Sequence, residues 1–190
     1  KEDKLIGPFF IDPLKLQKQV DYMEEHPECS LCVTGGYLVN ASDKNQISEY
    51  RISKGNKFFS VEEVIEGGGG LFLTNSTRYP RKYEGIRPKF YELAPVGDYP
   101  FTINLSLLGK VYYIDKPMSV YRTDVNNSWT SRTMSTIENR IEHFRQIDEM
   151  LDEVNHYTDG QYEEAINLRK YENKLSLLLE QKKFREVRLY

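Results

Sequence analysis

The sequence predicts an α/β chain, with α+β as the alternative, on three observations. A helix opened by Asp-Pro runs directly into an apolar stretch that reads as a buried strand. Short strands then alternate with helical segments as far as about residue 132. From Met134 onward the apolar residues recur with helical period only. At 190 residues the chain suits one domain with a real core. Its 39% hydrophobic content, with 14 Tyr and 9 Phe, is that of a folding chain.

The first helix is "IDPLKLQKQVDYMEEHPE": Asp12 caps it, Pro13 takes its first position, Leu16, Val20 and Met23 mark the inward face, and Pro27 stops it. "SLCVT", Gly35-Gly36 and "YLV" follow, as one interrupted strand or two short ones, ending in the polar turn "NASDKNQ". "SVEEVIE" carries a capping box, Ser60 with Glu63, and predicts a short helix running into Gly67, Gly68, Gly69 and Gly70. The segment from Thr74 to Pro100 is rich in aromatic, basic and proline residues and reads as a long loop. Phe101, Leu105 and Leu108 at i, i+4, i+7 mark a helix that Gly109 ends. "VYYID" and "MSVYR" read as two strands separated by Lys116-Pro117, followed by a polar loop holding the single tryptophan, Trp129. Ile137, Ile141, Phe144, Ile147, Leu151 and Val154 then define one amphipathic helix. "HYTDG" is a turn, and a second helix with Ile166, Leu175, Leu178 and Leu179 inward runs towards Val187. This C-terminal helical hairpin either packs on the rest of the chain or forms a homodimer.

A net charge of -3 without a dense Lys/Arg cluster argues against nucleic-acid binding. No apolar stretch has the length of a membrane span, and no signal peptide is visible. Cys29 and Cys32 form a C-x-x-C inside a predicted strand. Period two sends them to opposite faces, and no second pair completes a zinc site, so buried, inert thiols in a reducing compartment are expected over a redox dithiol. His26, His143 and His156 are dispersed and suggest no metal site.

Two features are open to a functional reading. The four glycines lack the G-K-[ST] of a phosphate loop, so they are either a hinge or a place where a ligand approaches backbone closely. Asp98, in "APVGDYPF", stands where a helix begins. It is either a cap for free N–H groups or a proton acceptor, since a carboxylate within reach of a hydroxyl serves as a general base.

"DPLKLQKQVDYMEEHPECSLC", "EGGGG", "APVGDYP", "LLGKVYYIDKPMSVYR" and "SWTS", in that order, resemble the C-terminal half of bacterial family 2 glycosyltransferases of the GT-A fold, over about residues 11 to 132. The resemblance implies an incomplete GT-A-like fold: a small mixed sheet framed by the Pro13 and Pro100 helices, with the hairpin outside. Transfer of a sugar from a nucleotide-sugar donor to the hydroxyl of a glycan or lipid-linked acceptor is the implied activity, in polysaccharide synthesis in the cytoplasm, possible also at a membrane surface. Asp98 corresponds to the base. Gly67 to Gly70, with Thr74, Asn75 and Tyr99, correspond to acceptor-side positions. Arg122 to Trp129 corresponds to a loop closing over the donor phosphates, the arginine neutralising charge and the indole excluding water.

The family pattern "GDDYW-x-DP" supplies paired acids for metal and nucleotide. Here Gly7, Pro8, Phe9 and Phe10 stand in that register before Ile11-Asp12-Pro13, so this chain is expected to hold no cofactor itself, while the complete enzyme uses a divalent cation, Mg or Mn. Asp124 replaces a common histidine, and Asn126 and Asn127 replace small residues. The domain reading is a leader over 1–11, an acceptor-side portion over 12–132 and the hairpin over 133–190. Without the donor and metal half, this chain alone is expected to show negligible transfer. A non-catalytic domain that binds protein or glycan through the 78–99 loop and the hairpin is the alternative.

Overall fold

The computed structural model describes residues 9–43, 47–126 and 128–181. The expectations for Gly7, Pro8, Asn127 and the helix end near Val187 lie outside the described residues, as do positions 44–46 of the predicted turn. The chain is α/β and divides into two compact units that interleave in sequence. A sheet unit comprises the segments up to Phe59, Leu71–Tyr83 and Leu108–Val125. A helical unit comprises Ser60–Gly70, Glu84–Leu107 and the segment from Asn126 onward. The hairpin shares a unit with the glycine run and most of the Asp98 helix.

The sheet unit is built on two long strands, β2 (Cys29–Asn40) and β5 (Lys110–Thr123), which pair in parallel. β3 (Ile47–Tyr50) pairs antiparallel with β2, while β1 (Phe9–Phe10) and β4 (Lys57–Phe59) pair antiparallel with β5, so the sheet is mixed. β5 is one strand, not the two expected on either side of Lys116-Pro117. The reason lies in β2, where register shifts around Gly35 carry the pairing from Thr34–Ile114 to Gly35–Pro117 and Gly36–Ser119, so the proline, which lacks an N–H, falls at an irregularity. Leu31, Val33, Val111, Tyr113 and Met118 are buried along the two long strands, and Phe59 packs edge-on against Phe72 at 5.4 Å. At the turn before β4, Asp115 accepts from Arg51 and from the Gly55 N–H (2.7 Å). The guanidinium holds its carboxyl down at about 2.

Helix α1 (Lys15–Glu25) buries a face that periodicity did not predict. Leu16 is 47% exposed and Val20 and Met23 are half-buried, whereas Lys15 and Gln19 are the buried residues. Hydrogen bonding explains the inversion. Gln19 Nε2 donates to the carbonyls of Cys32 and Ser76, both at 2.9 Å, tying the helix to β2 and to the short 3-10 turn Thr74–Ser76. Its Oε1 accepts from Lys15 Nζ at 2.9 Å, and that ammonium also lies over the Phe10 ring. Asp12 bonds the Leu14 N–H and Lys18 one turn ahead of the helix rather than capping it.

Burial brings Lys15 down to about 8; Cys32 opposes this and Arg78 adds to it. An unfolded lysine titrates near ~10.4, so between these values the unfolded chain binds more protons and stability rises with pH. Urea unfolding across that window is expected to show the rise in the natural protein. In Lys15→Met the rise from this residue disappears.

In the helical unit, α2 (Val61–Gly67) begins with the expected capping box, Ser60 Oγ accepting from Glu63 N and Glu63 Oε2 from Ser60 N. The predicted loop contains a short helix, α3 (Phe90–Leu93), because Phe90 is fully buried and packs edge-on against Tyr157. α4 (Asp98–Leu108) follows, then α5 (Trp129–Thr133), α6 (Ile137–Tyr157) and α7 (Glu163–Glu180). α6 and α7 form the predicted hairpin, turned by Asp159 and Gly160, both with positive φ, where Gly160 N donates to Asn155 O. α7 packs on α2, with Arg169 donating to Glu66 O at 3.1 Å, and α6 packs on α3. Two predicted inward residues are exposed, Ile141 at 43% and Leu179 at 46%.

Candidate functional site

Asp98 opens α4, and Pro100 is accommodated in the first turn, where N–H groups have no helical acceptor. The half-buried Asp98 carboxylate accepts from the adjacent Tyr99 N–H through Oδ1 at 2.9 Å, one residue short of the N2 or N3 N–H that a capping side chain takes. Oδ2 has no hydrogen-bond partner among the described residues. One oxygen is thus held by the neighbouring backbone and the other carries no such bond, so a proton acceptor at Oδ2 does not disturb the Tyr99 contact.

The glycine run lies against this residue. Gly67 ends α2 and Gly68 to Gly70 form one 3-10 turn, so the run is helical rather than an extended loop. Gly68 has φ +67, and a Cβ there would stand 3.0 Å from the Arg169 guanidinium; both conditions favour glycine. A Cβ on Gly69 would stand 3.3 Å from Tyr99 Cβ and 3.9 Å from Asp98 Oδ1. The exposed backbone at Gly69 thus borders the carboxylate, while a Cβ on Gly70 would meet nothing within 4 Å.

The same unit holds a buried imidazole. His143 of α6 is 8% exposed, and its Nδ1 is buried without a hydrogen-bond partner. The Trp129 indole, 41% exposed at the start of α5, meets the His143 ring edge-on at 5.5 Å. Ser128 caps that short helix, accepting from Ser131 N at 3.1 Å. Burial lowers the His143 pKa, and the Asp98 carboxylate pulls it the other way. Sequence reasoning passed over His143 as one of three scattered histidines. A signal was present: 143, 147, 150 and 154 recur at intervals of four, three and four, and with Leu151 these are the buried positions of α6.

Tyr99 is 1% exposed and its hydroxyl donates to Ile65 O at 2.5 Å, anchoring α4 to α2. Asn75, Thr74 and Arg122 belong to the sheet unit. Asn75 Nδ2 donates to Val120 O at 2.8 Å and Oδ1 faces Ser119 Oγ at 3.5 Å, so the amide fastens the 3-10 turn to β5. Thr74 is exposed, with its carbonyl accepting from Thr77. Arg122 is exposed on β5 opposite Val39. Asp124 has φ +52 and accepts from Asn40 Nδ2 at 2.7 Å.

Cys29 and Cys32 are free and buried, with burial pushing Cys32 up to about 12, which is unlike a reactive dithiol. Among the described residues no group of three or more His, Cys, Asp or Glu could hold a metal ion, and no helix is long and apolar enough to cross a membrane.

Over 125 residues, 65% of its length, the chain is 27% identical to proteins of Mycobacterium bovis and of two strains of Mycobacterium tuberculosis, each described as uncharacterized. The match covers 34% of each, so the chain spans about a third of the length of these curated relatives. No protein-family model matches it.

Proposed function

We propose that this chain is the acceptor-side portion of a glycosyltransferase in which Asp98 is the general base. The observation that carries the reading is the open Oδ2 of Asp98, fixed at the start of α4 beside the exposed Gly69 backbone. The resemblance to family 2 enzymes over residues 11 to 132 supports it, since the base of that family corresponds to this position. Because the relatives are about three times as long as the matched stretch, the activity belongs to the whole protein.

An acceptor hydroxyl bonded to Oδ2 gives up its proton as its oxygen attacks the anomeric carbon of a nucleotide sugar. The bond from that carbon to the diphosphate breaks, the nucleoside diphosphate leaves with its electron pair, and the configuration inverts. Gly69 leaves room for the acceptor because no side chain intervenes. Trp129, of the same unit as Asp98, excludes water. A divalent cation would neutralise the diphosphate in the complete protein. The described residues offer no ligand set for it, and no step here passes through it. The acceptor is a glycan or lipid-linked sugar, and the setting is the cytoplasm, with contact at a membrane surface. Incubating the full-length protein with a panel of sugar nucleotides and glycan acceptors tests this. Acceptor-dependent release of nucleoside diphosphate is expected, and no release from any donor refutes it.

A further inference from the structure

The face that α1 turns to the sheet runs through positions 15, 19, 22 and 26, at intervals of four, three and four. Tyr22 and the His26 that follows the helix thus continue the row begun by the buried Lys15 and Gln19. On β5, Tyr112 stands between Val111 and Tyr113, both fully buried, and strand alternation sends its ring to the opposite face. The two phenol rings meet with centroids 3.7 Å apart and an interplanar angle of 1°. Aromatic pairs usually lie ~4.5–7 Å apart, offset or edge-on, so this close parallel stack is out of the ordinary. Its neighbours hold it in place. The His26 ring stacks on Tyr22 at 4.3 Å, and Phe58 of β4, opposite Tyr112 in the ladder, tilts against that ring at 5.0 Å. Both tyrosines are half-buried rather than sealed from solvent, and both belong to the sheet unit.

We propose that Tyr22 and Tyr112 form an oxidative modification site, at which a peroxide acting through one-electron steps joins them as dityrosine. In a phenoxyl radical the unpaired electron occupies orbitals perpendicular to the ring, with a large share on the carbons ortho to the oxygen. A close parallel stack points those orbitals at one another, which an edge-on pair does not. Each phenol loses one electron and one proton, and the O–O bond of the peroxide takes up the two electrons as it breaks. The two radicals then form one carbon–carbon bond between ortho positions. Each of those carbons releases its hydrogen as a proton and each oxygen regains one, so both phenols are restored and the chain has lost two hydrogens in all. The link ties α1 to β5 and restricts the unfolded chain as a disulfide between distant residues does. None of this depends on the role of Asp98.

Photo-excited ruthenium trisbipyridyl with persulfate, applied to the full-length protein at micromolar concentration and followed by peptide mass spectrometry, tests the site. The expected main dityrosine product is the Tyr22 peptide joined to the Tyr112 peptide, two hydrogens lighter than their sum, and the linked protein should unfold at a higher urea midpoint. Tyr22→Phe and Tyr112→Phe should each remove this product, whereas Tyr121→Phe, which alters an exposed tyrosine on the same strand, should leave it. A check that needs no variant is oxidation of the natural protein unfolded in urea, where the yield of this link should fall to that of other tyrosine pairs. Coupling of other tyrosines without the 22–112 link, no coupling at all, or equal yields from folded and unfolded protein overturns the proposal.

Discussion

Asp98→Asn, introduced into the full-length protein, lowers turnover by roughly 10²- to 10⁴-fold, the span that a positioned proton acceptor contributes. Asparagine keeps the acceptor for the Tyr99 N–H and ranks with aspartate at helix starts, so stability should change by no more than a few tenths of a kcal/mol. Donor affinity should hold as well, because in the proposed reaction the carboxylate acts on the acceptor. The split matters: a residue that only caps α4 would show neither the large kinetic loss nor its separation from stability. Steady-state kinetics, donor calorimetry and urea unfolding on the same preparation measure the three quantities.

The largest structural effect is expected at Gly109, in the Gly109→Ala variant. A Cβ there would stand 2.6 Å from the Glu28 carbonyl oxygen and 3.0 Å from Ser30 Cβ. That carbonyl accepts from Lys110 N at 2.9 Å, where β2 and β5 first pair, so neither side can yield without disturbing the sheet. Destabilisation of about 3 kcal/mol follows, at the upper end of the range for overpacking a close-packed site. Gly97→Ala is the control: a Cβ there meets nothing within 4 Å and the residue does not have positive φ, so the change should stay within about 0.5 kcal/mol. Urea midpoints compared at constant m-value separate the two.

Gly109 shows how far the sequence could be read. Its position after an apolar helical run marked it as a stop, which is correct, since α4 ends at Leu108. That two backbone segments converge on it is a tertiary fact with no local signature. The same limit explains α1: Leu16, Val20 and Met23 have the period of a buried face, yet two carbonyls, those of Cys32 and Ser76, select Gln19 for the inside, and Lys15 follows. β5 was divided at Pro117 because the irregularity that accommodates a proline belongs to its neighbour strand at Gly35.

The helical hairpin and the Ser60 capping box were legible because caps, turn residues and a 3.6-residue period are encoded within a few positions of one another. At the site, Asp98 and its glycine neighbour were visible as residues out of the ordinary. An aromatic beside an acid gives no sign of which way its ring turns, and the Tyr99 ring turns inward to Ile65. His143 was hidden in an amphipathic stripe whose early phase was set by the exposed Ile141.

Chemical rescue tests the central claim most directly. In full-length Asp98→Ala, added formate can occupy the vacated space and supply the missing carboxylate, so nucleoside diphosphate release should be nearly abolished without it and recover in proportion to its concentration. Asp98→Ala that keeps the turnover of the natural protein, or that folds normally, loses turnover and is indifferent to formate, would contradict the proposed assignment of Asp98 as the base.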